Sequence, residues 1–268
     1  MNMVNLSDAE FLKISEFIYL KAGISMSGSK KSLVEGRLAK RLKAFNISSY
    51  GDYLNLLGSG TQPDETQMAV DLLTTNETYF FREPKHFQYL QDSILPKHAT
   101  GRKFRVWSAA SSSGQEPYSI AMVLAGKLPD ASWDLVASDI STRVLEKACS
   151  GHYPLEQTQH IPPEYLTKYC RKGIGSQEGT FLINRKLRDH VSFMQINLNS
   201  TLPAIGEFDL VFLRNVMIYF DVETKREVLR RIIQLIRPGG YLFIGHSESL
   251  HGVIDELRMI MPSVYRKP

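Results

Sequence analysis

Apolar positions in the first part of the chain recur at helical spacing. Ser7-Asp8-Ala9-Glu10 is a capping-box signature, and Phe11, Ile14, Phe17 and Ile18 behind it share one face that closes near Gly23. Residues 30–45 repeat the pattern with Leu33, Leu38, Leu42 and Phe45. Shorter helical stretches at 50–57 and 64–73 flank a Gly/Pro loop, and another helix begins at Pro84 with Phe87, Leu90, Ile94 and Leu95 inward. From Arg102 the period changes. Runs of aromatic and β-branched residues begin at Phe104 and recur at 133–137, 191–196, 208–213 and 241–244, separated by helical stretches such as 142–150 and 222–236. Such alternation predicts an α/β fold with a mostly parallel sheet and right-handed crossovers. Residues 257–265 read as a terminal hairpin strand. The expected organisation is an all-helical domain over residues 1–95 and an α/β domain over 96–268. Residues 151–188 break the alternation with a short helix, a glycine-bearing turn and a strand-like run, and predict a small antiparallel β insert.

Composition adds little to that picture and local charge adds more. With 43% hydrophobic and 22% charged residues in 268, the chain can bury a large core. Cys149 and Cys170 show neither zinc-ligand spacing nor a disulfide framework, so no metal is expected and a reducing compartment is. Asp8, Glu10 and Lys13 interrupt the N-terminal apolar pattern, and no apolar run approaches the ~20 residues of a membrane span. The expectation is a cytoplasmic protein without membrane insertion. A net charge of +4 does not demand a nucleic-acid partner. Residues 30–45 nevertheless set Lys30, Lys31, Arg37, Lys40, Arg41 and Lys43 against Glu35 alone, with Arg37, Lys40 and Arg41 on one face. That face is either a solvated surface or a docking site for an acidic partner.

Candidate chemistry gathers where strands end, the ligand side of an open α/β sheet. The stretch 104–119 runs from a buried strand through seven small residues, Ser108 to Gly114, into a helix with Pro117 in its first turn. It lacks the dinucleotide fingerprint Gly-x-Gly-x-x-Gly. Glu116 beside this loop can accept from a ligand ammonium group, or serve only as a first-turn charge. Asp139 closes the second strand, where an acid can take both ribose hydroxyls or cap the next helix. Asn197, and Arg214 with Asn215, close the third and fourth strands. A second acid and a cation suit S-adenosylmethionine better than a nicotinamide, because no pyrophosphate needs a glycine-rich helix end.

Longer motifs make the resemblance specific. Trp107-Ser-Ala-Ala-Ser-Ser-Ser-Gly114, Glu116-Pro117-Tyr118-Ser119, Thr74-Thr75-Asn76-Glu77-Thr78 with Phe80-Phe81-Arg82-Glu83, and Arg214-Asn215-Val216-Met217-Ile218-Tyr219-Phe220 resemble the chemotaxis receptor methyltransferase (CheR) family. So does Arg237-Pro238-Gly239-Gly240 followed by Gly245-His246-Ser247-Glu248. The resemblance runs over nearly the whole chain. It implies a class I S-adenosyl-L-methionine-dependent methyltransferase sheet with an N-terminal all-helical domain, and methylation of chemoreceptor glutamates to methyl esters, with S-adenosyl-L-homocysteine as product. By resemblance, Asn76, Thr78, Arg82, Glu116, Asp139, Asn197, Leu198, Arg214 and Asn215 bind the cofactor, and Arg82 and Tyr219 serve methyl transfer. The basic helix with Arg37, Lys40 and Arg41 resembles the surface that meets the receptor's cytoplasmic helices. The insert resembles the family's β-subdomain, which in some members grips a receptor C-terminal peptide, and the Gly173, Gly175, Glu178, Gly179 loop matches those members. A monomer recruited to membrane receptor arrays is implied. Gln115 stands where the family commonly has a second glutamate.

The chemistry agrees on its own terms. A carboxylate with a reference pKa of ~4.3 is ionised near neutrality and needs no general base, only alignment at ~3–3.5 Å. Arg82 could clamp a carboxylate and Tyr219 could orient the reacting groups. A nucleic-acid methyltransferase is the first rival. Its amine chemistry usually relies on an Asp/Asn-Pro-Pro-aromatic run after the fourth strand, where this chain has Arg214-Asn215-Val216-Met217, and neither cysteine lies at a strand end. A non-catalytic sensor is the second rival, and retention of the motif residues speaks against it. The prediction is that Glu116→Ala weakens cofactor binding in calorimetry whereas Gln115→Ala does little.

Overall fold

The structure, a computed structural model, describes residues 4–98 and 101–268, so the start of the first expected domain range at 1–3, and residues 99–100 within the second, lie outside it. It divides into two compact units, residues 1–75 with 219–225, and residues 76–218 with 226–268.

The first unit is a helical bundle of α1 (Asp8–Ala22), α2 (Lys31–Ala44), α3 (Tyr50–Gly58) and α4 (Pro63–Leu73). Ser7 caps α1 through the reciprocal pair with Glu10, and Gly23 ends it in the left-handed conformation. Phe11, Ile14 and Ile18 are buried, and in α2 the buried residues are Val34, Leu38 and Leu42, so Val34 takes the inward place expected for Leu33. Glu10 also accepts from the Gly51 N–H at 2.8 Å, which ties α1 to the start of α3. The segment after Tyr219 belongs to this unit: Phe220 bridges Ile24, and the Ser25 N–H donates to the Tyr219 carbonyl at 2.8 Å.

Two of the three expected docking cations are spent inside this bundle. Arg41 makes a forked pair with Glu65, whose side chain is 4% exposed and also accepts from the Tyr53 hydroxyl at 2.6 Å. Arg37 donates to the carbonyls of Leu73 and Thr74, the open C-terminal end of α4. Lys40, Lys43 and Lys30 stand exposed. Helical spacing gives the angle of a side chain but not the buried acid that a neighbouring helix offers it.

The second unit is α/β. Its helices are α5 (Pro84–Tyr89), α6 (Gln115–Lys127), α7 (Thr142–Ser150), α8 (Pro163–Tyr169), α9 (Arg185–Arg188) and α10 (Val222–Gln234), α10 starting in the segment assigned to the helical unit. Its strands are β1 (Phe104–Ser108), β2 (Trp133–Asp139), β3 (His152–Pro154), β4 (Cys170–Lys172), β5 (Thr180–Ile183), β6 (Val191–Gln195), β7 (Phe208–Leu213), β8 (Ile236–Ile244), β9 (Arg258–Met261) and β10 (Val264–Arg266). Among the described residues the main sheet has the order β6-β2-β1-β7-β8-β10-β9, parallel through β8 and then antiparallel. The order reverses between β1 and β7, the switch point at which such sheets bind ligands. The expected insert is a three-stranded antiparallel sheet, β3-β5-β4.

The boundary expected at residue 95 differs from the observed one near 75 because α5 and the π-helical turn Leu90–Ile94 join the α/β core. Phe87, Leu90 and Ile94 pack in one buried cluster with Phe104, Tyr118, Phe212 and Phe243. The Arg237–Gly240 turn also differs from expectation. Phe208 pairs with Ile236 but Leu210 pairs with Tyr241, so the Pro-Gly-Gly residues bulge out of a strand that has already begun.

Removal of Arg41 leaves Glu65 buried with Tyr53 as its remaining donor. Arg41→Ala is expected to cost about 3 kcal/mol of stability in urea unfolding, whereas Lys40→Ala stays within about 0.5 kcal/mol.

Candidate functional site

The loop between β1 and α6 is built from small residues because three groups must approach its backbone. Gly114 sits at φ 97° as the N-cap of α6. A Cβ there would lie 2.6 Å from the Tyr153 hydroxyl and 2.9 Å from the Ala148 Cβ. Ser112, also at positive φ (48°), donates its N–H to Asp139 at 2.8 Å and its hydroxyl to the Asn76 carbonyl at 3.0 Å. The structure thus brings Asn76, Ser112 and Asp139 together at the carboxyl ends of β1 and β2. Asp139 is buried, and its other oxygen accepts from the Ser141 N–H at 3.0 Å. The hydroxyls of Ser111 and Ser141 are buried there with no partner among the described residues.

Gln115, read from the sequence as tolerant, is 3% exposed. Its amide accepts from Ser113 and donates to Gln157 in the turn after β3, both at 2.9 Å, so it ties the loop to the insert. The structure gives this side chain a packing role between the loop and the insert, which the sequence did not show.

A second group forms around Arg214 at the end of β7. Arg214 is 4% exposed. It pairs with Glu83 at 3.0 Å and Glu116 at 3.1 Å, and it donates to the Arg82 carbonyl. Glu116 also accepts from the Ser108 hydroxyl at 2.7 Å. Those donors engage one position on each oxygen of a carboxylate that offers about four. Burial pushes the Glu116 carboxyl above its ordinary range, against the pull of Arg214. Glu83 goes the other way: burial raises it, but Arg214, the His246 N–H and the Asn215 amide together hold it below the ordinary range. Two acids on one cation are thereby driven apart.

Glu83 was not expected in this role. It caps α5 from the left-handed region at φ 59°, and this turns its side chain away from its neighbour Arg82. Arg82 instead donates to the Glu77 carbonyl at 2.9 Å and stands 5.7 Å over the Tyr79 ring, so the local Arg82–Glu83 pair is not formed. The available signal was the Arg-Glu-Pro run, where proline starts a helix and makes the residue before it a cap. Glu83, His86 and His246 also converge within 4.8 Å. Arg214 lies 3.0 Å from the same Glu83 oxygen and already supplies positive charge there. His86 is fully buried, donates or accepts at Ser263 over 2.7 Å, and is pushed down to about 3 by burial and then by Arg214, so it is neutral near pH 7.

The remaining expected residues lie on several segments, and the Ile196 N–H on the Asp139 carbonyl at 3.1 Å brings the start of the Asn197–Leu198 turn beside Asp139. Thr78 is half-buried in the segment before Arg82. Asn197 accepts from the Asn199 N–H at 2.9 Å, which makes it a turn former, and the Leu198 carbonyl accepts from Arg231. Asn215, at φ 57°, donates to Glu83 at 3.2 Å. Tyr219 is half-buried and falls in the helical unit, while Arg82 falls in the α/β unit. In the insert, Gly173, Gly175, Glu178 and Gly179 form the turn from β4 to β5, closed by the Gly173 N–H on the Thr180 carbonyl at 2.9 Å. Beside it lies a cleft of about 410 Å³ lined by His152, Arg171, Lys172, Gly173, Ile174 and others.

Family comparisons cover both units. A family model described as "CheR methyltransferase, SAM binding domain" matches residues 76–265, and one described as "CheR methyltransferase, all-alpha domain" matches residues 9–74. A chemotaxis protein methyltransferase of Escherichia coli is 47% identical over 251 residues, 91% of this chain and 85% of the relative. One from Salmonella typhimurium is 42% identical over 97% of this chain and 90% of its own length. Chemotaxis protein methyltransferase 2 of Pseudomonas aeruginosa is 40% identical over 96% and 92%.

Glu83 yields a pH test with a defined sign. Its folded pKa lies below the unfolded value, so its stabilising share is present above about pH 4.5 and is lost as pH falls through the folded pKa. Glu83→Gln is expected to be less stable than the parent by about 2–3 kcal/mol at pH 7, with the gap narrowing below about pH 4.5. Urea unfolding at several pH values measures the gap, and a constant gap would contradict the assignment.

Proposed function

Because the chain belongs to the CheR methyltransferase family, we propose that it methylates glutamate side chains of chemoreceptors to glutamate methyl esters, in the service of chemotactic adaptation. The observation that carries the reading is the match of both family domains, in order, over nearly the whole chain. S-adenosylmethionine is the family's cofactor, and the residues at the strand ends fit it. The unpartnered hydroxyls of Ser111 and Ser141 are buried where polar ligand groups can satisfy them. The small-residue loop leaves its backbone open to close approach, and Glu116 retains room for further donors.

When bound, S-adenosylmethionine supplies the electrophilic sulfonium methyl. Asp139 would take the ribose hydroxyls and Glu116 the ammonium end, with Asn76, Thr78, Arg82, Asn197, Leu198, Arg214 and Asn215 completing the pocket. The acceptor carboxylate arrives ionised, so Arg82 and Tyr219 have to orient and shield rather than move a proton. Water removal raises the reactivity of the acceptor.

A receptor helix rich in methylatable glutamates is acidic. With Arg37 and Arg41 engaged inside the bundle, Lys40 and Lys43, helped by Lys30, make up the docking charge. Each exposed pair is worth ~0–1 kcal/mol, which suits steering. The β-subdomain adds a tether. Strand β4 is an edge strand of its sheet, with Arg171 and Lys172 on it and Ile174, 83% exposed, just beyond. An extended receptor C-terminal peptide could add as a strand there, its carboxylates near those cations. Among the described residues no helix is long and apolar enough to cross a membrane. In this reading recruitment to receptor arrays rests on the lysine and β4-edge contacts, with the enzyme acting as a monomer and without nucleic acid.

A filter assay with methyl-labelled cofactor tests the proposal: base-labile label is expected on receptor-containing membranes and none on RNA. Label on RNA, or base-stable label on the receptor, would sink it. Joint Lys40→Glu and Lys43→Glu replacement is expected to slow receptor methylation about tenfold at low salt with unchanged affinity for S-adenosylhomocysteine. An unchanged rate would remove the docking role. Calorimetry with receptor C-terminal peptides tests the tether, and absence of heat with every tail would refute it.

A further inference from the structure

The loop after β8 contains an acid that the mechanism so far leaves unused. Glu248 lies where Gly245-His246-Ser247-Glu248 follows the strand. Its carboxylate accepts from the N–H groups of Gly245 at 2.6 Å, Asn215 at 2.9 Å and Ile218 at 3.3 Å. One side chain thus gathers backbone donors from two loops, those after β7 and β8. Gly245 makes room for this: a Cβ there would lie 2.5 Å from Asn215 Nδ2 and 2.9 Å from Glu248 Oε2.

The segment it holds is the consequential one. Asn215 is a non-glycine residue at φ 57°, a conformation that L side chains seldom adopt unless their surroundings impose it. Its side chain continues the chain of contacts, donating to Glu83, which pairs with Arg214, which pairs with Glu116. Four residues beyond Asn215 the turn Met217–Tyr219 ends on the tyrosine assigned to methyl transfer. Converging N–H donors need a group that only accepts. A carboxylate meets that need, while an amide would aim its own N–H₂ at some of them.

We propose that Glu248 is a positioning residue for methyl transfer: its carboxylate fixes the backbone of residues 215–218, and so sets where Asn215 and the turn leading to Tyr219 stand. The proposal rests on the reading that Asn215 and Tyr219 serve the cofactor and the transfer. Glu248 itself touches no reacting atom.

The test uses the full chain with receptor-containing membranes. It compares Glu248→Gln, Glu248→Asp, Asn215→Ala and Leu124→Ala, the last a core variant on α6 that lowers stability without touching these loops. Expected for Glu248→Gln are a kcat at least tenfold lower, S-adenosylhomocysteine binding severalfold weaker, and a receptor KM within twofold of the parent. Glu248→Asp keeps the charge and is expected to recover part of the kcat. Unchanged kcat and cofactor affinity in Glu248→Gln, or losses no larger than in Leu124→Ala, would overturn the proposal. If Asn215→Ala is impaired while Glu248→Gln is not, positioning by Glu248 fails and the pocket reading stands. If neither is impaired, the assignment of Asn215 fails as well. Should Glu248→Gln not fold, amide exchange on Glu248→Asp carries the test. Faster exchange at Asn215 and Ile218 with reduced kcat supports the role, and full kcat refutes it.

Discussion

Arg214 is a nearly buried guanidinium between two carboxylates, at 3.0 Å from Glu83 and 3.1 Å from Glu116. Burying that charge without partners would be prohibitive, and removing either acid leaves the rest undercompensated. The three residues come from the end of β7, the cap of α5 and the first turn of α6. Their pairing therefore fixes how two strand-end loops and a connector meet. The opposed shifts of Glu83 and Glu116 follow from the same arrangement, since one cation satisfies Glu83 more fully while Glu116 bears more of the burial cost. Glu116 also accepts from Ser108, the first of the small residues, so the cofactor loop and the ion pairs form one network.

Charge in the helical unit follows the same logic at a different place. Arg41 and Glu65 form a forked, largely buried pair with the Tyr53 hydroxyl, and Arg37 closes the carbonyl end of α4. A helix that looks uniformly basic in sequence thus splits into cations that hold the bundle and lysines that face water. Lys fits the second duty, as a flexible point charge, and Arg the first, as a planar fork. Steering by exposed lysines is salt-sensitive and weak per contact, and a receptor tail held by the β4 edge would supply the local concentration that such weak contacts lack.

The alternation of strands and helices, the capping box at Ser7 and the three-stranded insert were legible because each depends on local pattern. Strand ends were legible for the same reason, so Asp139, Arg214 and Asn215 could be located without coordinates. What escaped was pairing across the chain. Glu83 and Arg214 are separated by 131 positions, and no periodicity links them. Glu248 looked like one residue of a motif, since its partners are backbone N–H groups that leave no trace in side-chain spacing. The domain edge moved from 95 to near 75 because the apolar face of α5 suits either unit, and only packing against Phe212 and Phe243 decides.

Arg214 is where fold and chemistry meet, and calorimetric titration of Arg214→Lys with S-adenosylhomocysteine tests that claim most directly. A lysine keeps one positive charge but cannot fork to both Glu83 and Glu116. The account predicts cofactor-product affinity reduced at least tenfold in a protein that still unfolds cooperatively. Parental affinity in Arg214→Lys would contradict it.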